Sequence, residues 1–311
     1  MCFNSSFCLV LMFAASVVFL AGCGGGEVVQ SDVSEVDMVN DTIKSDDYFL
    51  DYLDVENGRM RYTSRSDSAL FYYNLGWHQI MDEGRYAEAE LSYRKSLKFD
   101  PDFLICQAVL GRLTLDDEER AAIYESVELK RGTLPADEEK LLSVYHDFVH
   151  YTNLRERGDT TALPFIRKAL LNGEKVFRGL VHKYSGEPWL KSEYVEFINS
   201  NHGAEVALDS LAALTRERHA ENPFLLGFGA SLKAETGELE EALNRAERLE
   251  ALTNDKSEPK PWAVLADVYF QRGELELAKQ HVDRAVQLDS RNLDASRLQT
   301  KVDAAIAALS D

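Results

Sequence analysis

The chain has 311 residues, with 34 Lys and Arg against 53 Asp and Glu, for a formal net charge of −19. A protein this acidic repels nucleic acid and anionic lipid surfaces, so neither is expected as a direct partner. Of its four cysteines, Cys2, Cys8 and Cys23 crowd the N-terminus. Cys106 stands alone in the apolar stretch FLICQAVLGRL, so no disulfide framework is expected and its thiol reads as a small buried hydrophobe.

The first element is an apolar run from Phe7 to Leu20. It is shorter than the roughly 20 residues of a spanning helix and has the size of a signal-peptide core. No Lys or Arg precedes it, which departs from the usual positively charged start. It ends in Leu20-Ala21-Gly22-Cys23, followed by Gly24-Gly25-Gly26. This pattern resembles the lipobox of bacterial lipoproteins. The resemblance implies that residues 1–22 are a signal peptide removed on export and that the Cys23 thiol carries lipid. It also implies a lipid-anchored place in the cell envelope, on the periplasmic face of the outer membrane if the host is Gram-negative, because no aspartate follows Cys23. Each buried CH₂ of an acyl chain contributes about 0.8 kcal/mol, so several chains would hold the protein where one would not.

Residues 23–66 read as an acidic tether and docking segment. Between Glu27 and Glu56 stand ten acids and one base, Lys44, and the first half has too few large apolar residues to order itself. As a flexible coil that half, about 23 residues, spans roughly 25–30 Å. The cluster Tyr48, Phe49, Leu50, Tyr52 and Leu53 is expected to dock on the folded domain.

From residue 67 the pattern is helical and repetitive. Pro101, Pro135, Pro188, Pro223 and Pro259 stand 34, 53, 35 and 36 residues apart, and Pro164 falls inside the long interval. Proline is tolerated in the first turn of a helix, so each marks a helix start. Gly84, Gly237 and Gly273 give a second register, each with an apolar residue two positions on and an alanine (Ala89, Ala242, Ala278) five positions on. Glycine supplies a left-handed turn between helices, and alanine fits where two helices approach closely. In the middle of the chain, helix pairs are expected over 101–131, with Asp116 capping the second helix, over 135–185, broken at Gly158-Asp159-Thr160, and over 188–221, broken at Asn201-His202-Gly203.

Trp262, Leu265, Ala266, Tyr269, Gly273, Ala278 and Ala285 resemble the tetratricopeptide repeat in every spacing, with Asp289-Ser290 where Asp-Pro is usual. Tyr72 to Pro101 is similar to the same repeat, with one extra residue between Leu75-Gly76 and Gly84. Pro223 to Asn254 is a third, weaker likeness. The resemblance implies an all-α, right-handed superhelical solenoid of about six helix pairs over residues 67–290, ending in a capping helix over 291–311. That last helix is apolar at Leu298, Val302, Ile306 and Leu309 and largely polar elsewhere.

In such repeats the first helix of each pair lines a concave groove that holds a protein segment. Carrying those positions over gives Lys260, Ala263, Asp267, Phe270 and Gln271 in the last repeat, and Phe71, Asn74, His78 and Met81 in the first. Ala263 and Asp267 replace the Lys and Asn with which some family members clamp acidic C-terminal tails, so basic or neutral peptides suit this groove better. The implied role is a membrane-anchored adaptor or scaffold for an envelope protein or peptide, with no enzyme activity and no cofactor. An alternative is a receptor for a small molecule or glycan. A concave aromatic shelf would favour glycan, and a long groove of mixed polarity would favour peptide.

A third reading is a metal-dependent hydrolase. His146 and His150 stand one helical turn apart, as two ligands of one metal would. Asp147 replaces the glutamate of H-E-x-x-H, and no third ligand follows at a recognisable spacing. Phosphate-binding and nucleophile-elbow motifs are absent from the sequence.

Overall fold

The computed structural model describes residues 58–215, 221–253 and 255–310. The apolar N-terminal run, Cys23 and the Tyr48–Leu53 cluster lie outside the described residues. Within them are thirteen α-helices and no strand, arranged as six consecutive pairs and one final helix. The pairs are α1 (Asp67–His78) with α2 (Tyr86–Phe99), α3 (Leu104–Leu113) with α4 (Asp117–Lys130), and α5 (Ala136–Glu156) with α6 (Ala162–Lys183). They continue as α7 (Pro188–His202) with α8 (Ala204–Leu214), α9 (Pro223–Glu235) with α10 (Leu239–Leu252), and α11 (Pro259–Gln271) with α12 (Leu275–Leu288). The final helix is α13 (Leu293–Ser310).

Local chemistry explains the boundaries. Pro188, Pro223 and Pro259 open α7, α9 and α11, where a missing N–H costs nothing. The side chains of Ser66, Asp116 and Asn222 cap α1, α4 and α9 by accepting from the backbone N–H groups of Ala69, Glu119 and Leu225. Gly84, Gly237 and Gly273 take φ of 77°, 85° and 77°, the left-handed turns between paired helices. Ala89, Ala242 and Ala278 are fully buried, as their close helix contacts require. Each pair packs on the next, so the chain is an all-α solenoid of tetratricopeptide type.

The extra residue in the first repeat has a definite structural outcome. α1 runs on as a π-helical turn, Gln79–Glu83, closed by the Gly84 N–H donating to the Gln79 carbonyl. A π turn accommodates one inserted residue within a helix. This one carries Ile80, Met81 and Asp82 into buried positions.

The π turn also decides how the solenoid ends. It packs on α9 and α11, the first helices of the fifth and sixth pairs. Asp82 accepts from Asn222 and from the Phe224 N–H at the start of α9. The Gly84 carbonyl accepts from Asn292 Nδ2, the Ala87 N–H donates to Asp289, and the Tyr86 hydroxyl donates to Asp294. Arg291 pairs with Glu90 and donates to the Leu113 carbonyl. The first repeat therefore lies against the last one. On the concave side, the N-terminal repeat is seated on the surface formed by α9, α11 and α13. The final helix is correspondingly more than an end cap. Ala295, Leu298 and Val302 pack on α11 and α12, while its N-terminal end bonds to the first repeat.

Two further features lock the centre. Residues 58–65 form a strap in which Tyr62 packs edge-on to Tyr73 at 5.0 Å and Thr63 donates twice to Glu138. Met60 and Tyr62 of this strap are buried in the core. Helix α7 is buried nearly all round. Trp189 stacks on Trp77 at 6.0 Å, and Glu193 bridges Arg112 at 3.0 Å and the Tyr145 hydroxyl at 2.7 Å.

Candidate functional site: a polar cleft under the first repeat

Seating the first repeat on the concave face leaves a cleft of about 80 Å³ between Ile80, Gly84 and Tyr86 on one side and α9, α11 and α13 on the other. Phe228, Val264 and Leu298 form its apolar wall. Ser231, Lys260, Asp267, Asp294, Arg297 and Lys301 supply its polar groups.

Several polar atoms on these concave helices are buried without a hydrogen-bond partner. They are Glu196 Oε1 and Asn199 Nδ2 on α7, Glu235 Oε2 on α9, Asp267 Oδ1 on α11, and the terminal guanidinium nitrogens of Arg155 on α5. Buried polar groups are normally satisfied. Atoms in the same condition also occur away from the cleft, on Tyr73, Tyr93, Glu139 and Glu187, and among the residues that line the cleft Asp267 is the one that carries such an atom. Burial pushes the carboxyls of Asp267, Glu235 and Glu196 above the ordinary carboxylate range. For Glu196 the neighbouring Glu193 and Asp294 push the same way. Burial pulls the Lys260 ammonium down, against the opposing pull of Asp294, Asp82 and Glu196. That ammonium rests over the Phe224 ring at 4.4 Å.

The groove positions taken from the resemblance fall in four places. Lys260, Ala263 and Asp267 line the cleft. Asn74 is buried, Met81 is core, and His78 is engaged with Asp82 and Glu83 at 3.0 and 3.3 Å. Phe71 lies elsewhere, edge-on to Tyr72 at 5.1 Å. Phe270 is half-buried against the α12–α13 core, and Gln271 is exposed. Glu196, Asn199, Glu235, Asp294, Arg297 and Lys301 did not stand out in the sequence. The one signal for the α7 group was composition: WLKSEYVEFIN carries three charges and has no polar face to keep them on.

His146 and His150 flank one ring, stacking on Tyr124 at 4.2 and 5.0 Å. His146 Nε2 lies 3.1 Å from the Tyr124 carbonyl, and burial lowers its pKa. Both imidazoles are thus packing groups on α5. Among the described residues no three His, Cys, Asp or Glu side chains are placed to share a metal. Cys106 is buried, with Sγ 3.5 Å from the Tyr93 carbonyl, and burial pushes its thiol up to about 12. Of the tryptophans, Trp77 and Trp189 are buried and Trp262 is half-buried near His281, so none forms a shelf in the cleft.

The fold and its concave cleft define a helical-repeat protein of tetratricopeptide type. A family model described as Tetratricopeptide repeat matches residues 69–103 and 259–292, the two repeats that meet across the closure. No curated protein matches the chain. Repeats of this type point to protein partners and an adaptor role.

Proposed function

We propose that this protein is a lipid-anchored adaptor of the bacterial cell envelope that holds a segment of a partner protein at its concave cleft. The observation that carries the adaptor reading is the pair of tetratricopeptide repeats that meet around the cleft, with Asp267 buried in its lining and one carboxylate oxygen unpartnered. The anchoring rests on Leu20-Ala21-Gly22-Cys23 at the end of a signal-sized apolar run. The length of the tether would let the domain sweep a few nanometres from the membrane.

The receptor alternative draws support from the small size of the cleft, which suits a compact ligand better than a long peptide. The lack of a tryptophan shelf argues against a glycan.

The test is a crosslinked pull-down of the full chain from detergent-solubilised envelopes, beside Cys23→Ser and Asp267→Arg. The adaptor reading predicts one or two envelope proteins that enrich with the wild type and are lost with Asp267→Arg. A labelled fatty acid should enter the wild type but not Cys23→Ser. Enrichment of no protein would sink the adaptor role. Equal labelling of both chains would sink the anchor at Cys23.

A further inference from the structure

We infer that the acidic, aromatic-rich residues 46–56 of this chain dock along the exposed face of α6, so that the tether leaves the domain at that face. This interaction goes beyond the adaptor role and does not depend on it.

The charge of α6 runs against that of the chain. The helix carries Arg167, Lys168, Lys175, Arg178 and Lys183 against one acid, Glu174, in a protein with a net charge of −19. Its inner face is core, with Ile166, Leu170, Phe177, Leu180 and Val181 buried. On its outer face Leu163, Arg167, Leu171 and Lys175 follow at four-residue spacing, and all four are exposed. That spacing puts them in one stripe along the helix. Arg178 is engaged by Glu174, and Lys183 by Asp137. Among the described residues Arg167, Lys168 and Lys175 have no ion-pair partner. Leu163 is 65% exposed and Leu171 60%. Singly such leucines mean little, but here they alternate with unpaired cations.

Residues 46–56, DDYFLDYLDVE, have the complementary composition. They carry five acids and no base, with Tyr48, Phe49, Leu50, Tyr52 and Leu53 among them. Acids would meet the cations of the stripe, and apolar side chains its leucines. The acidic remainder of the protein repels the same segment.

The point where the chain enters the described domain brings the two together. The Gly58 carbonyl accepts from the Gly186 N–H at 2.9 Å, in the turn that follows α6. Gly58 takes φ of 73°, and a methyl there would lie 3.4 Å from that nitrogen, so the chain is held closely against the turn. Asn57 alone links the segment to Gly58, which keeps its local concentration at α6 on the order of millimolar or higher. A 22-residue helix is about 33 Å long. Eleven residues reach at most about 36–40 Å, enough to follow α6 from Lys183 back to Leu163.

The test uses the full chain in detergent with a photoreactive benzophenone side chain at position 171, and the crosslinked peptides are mapped by mass spectrometry. The crosslinks should fall within residues 46–56, at a yield independent of protein concentration. Arg167→Glu with Lys175→Glu should lower that yield about tenfold, and adding Asp51→Lys with Asp54→Lys should restore it. Raising the salt to 1 M should also lower it. Both cations are exposed and unpaired, so the urea midpoint should stay unchanged, which separates lost docking from lost folding. Crosslinks to other parts of the chain, or a yield indifferent to charge reversal, would overturn the inference. Crosslinks that grow with protein concentration would assign the stripe to a second copy and overturn it as well. So would crosslinks to lipid that replace those to residues 46–56 on phosphatidylglycerol vesicles, since α6 would then face the membrane.

Discussion

Asp82 Oδ1 accepts a hydrogen bond from Asn222 Nδ2 at 3.1 Å, joining residues 140 positions apart. The same oxygen accepts from the Phe224 N–H at 3.3 Å, and Oδ2 faces His78 Nδ1 at 3.0 Å. Asp82 thus sits at the positive end of α9 with a cationic partner behind it, nearly inaccessible to water. With the Asn292–Gly84 bond it is one of the buried polar links in the closure of the solenoid. Asp82→Ala leaves Asn222 and His78 facing an empty site, and should lower stability by about 3 kcal/mol in urea unfolding. Hydrogen exchange should accelerate selectively at residues 84–90 and 289–294, because the closure opens before the repeats unfold.

Stability should fall as pH rises, through two groups beside this link. Burial, reinforced by Glu83, raises Glu258 from 4.5 to about 7. Its contribution is complete below its unfolded value and disappears as pH rises to about 7. Burial alone would lower His78, but the hydrogen bonds to Asp82 and Glu83 outweigh it and raise the imidazolium from 6.5 to about 10. Its contribution is complete below 6.5 and disappears as pH rises towards 10. Thermal melts of Glu258→Gln should lose the decline seen in the wild type between about pH 4.5 and 7, and His78→Gln the later one. Parallel curves for all three chains would contradict these assignments.

Three glycines with the same left-handed backbone should respond differently to alanine. Around Gly237 and Gly273 an added methyl meets nothing within 4 Å. Those substitutions should cost only the backbone strain, about 1–2 kcal/mol. At Gly84 the methyl would lie 3.0 Å from the Lys260 backbone nitrogen and from Asn292 Nδ2. Gly84→Ala should therefore cost about 1–3 kcal/mol more, the usual penalty for overpacking. Equal denaturation midpoints for the three variants would mean that the first and last repeats are not pressed together in solution.

Asp267→Asn should stabilise the fold while weakening binding. Removing a buried, incompletely bonded carboxylate should raise stability by about 1 kcal/mol at neutral pH. Burial holds the Asp267 carboxyl above its ordinary pKa, so the gain should shrink in acid, where the wild-type side chain is protonated. A site kept at the expense of stability shows this opposition between melting and affinity. Chemical denaturation of both chains at neutral and acid pH measures it.

Cys106 offers a reporter of opening. With the other three cysteines replaced by serine, the native protein should resist thiol reagents, because the thiol is buried and held up to about 12. Labelling should appear with the urea transition, and labelling of the native state would place Cys106 in a region that opens locally.

Much of the helical order was legible from single residues. Pro135, Pro164, Pro188, Pro223 and Pro259 marked helix starts, while Pro101 stands in the turn before α3. Glycines marked left-handed turns and alanines marked close helix contacts, because each of these residues constrains the backbone or its neighbours within a few positions. Asp116 and the break at Asn201-His202-Gly203 were readable for the same reason. The concave site was only partly legible. Lys260, Ala263 and Asp267 follow from repeat spacing, but Glu196, Asn199, Glu235 and Arg297 belong to helices whose packing partners are remote in the chain.

The sequence by itself determined the six pairs, the final helix, and the one-residue irregularity between Gly76 and Gly84. The tertiary structure alone decided what that irregularity does. A π turn redirects Asp82 and Gly84 towards α9 and α11, and hydrogen bonds across 140 to 208 positions seat the first repeat on the last. Local pattern sets where helices begin and end because caps and turns act over a few residues. Whether a stack of helices remains an open trough or closes over a small polar cleft depends on contacts between its two ends, and those exist only once the whole array has formed.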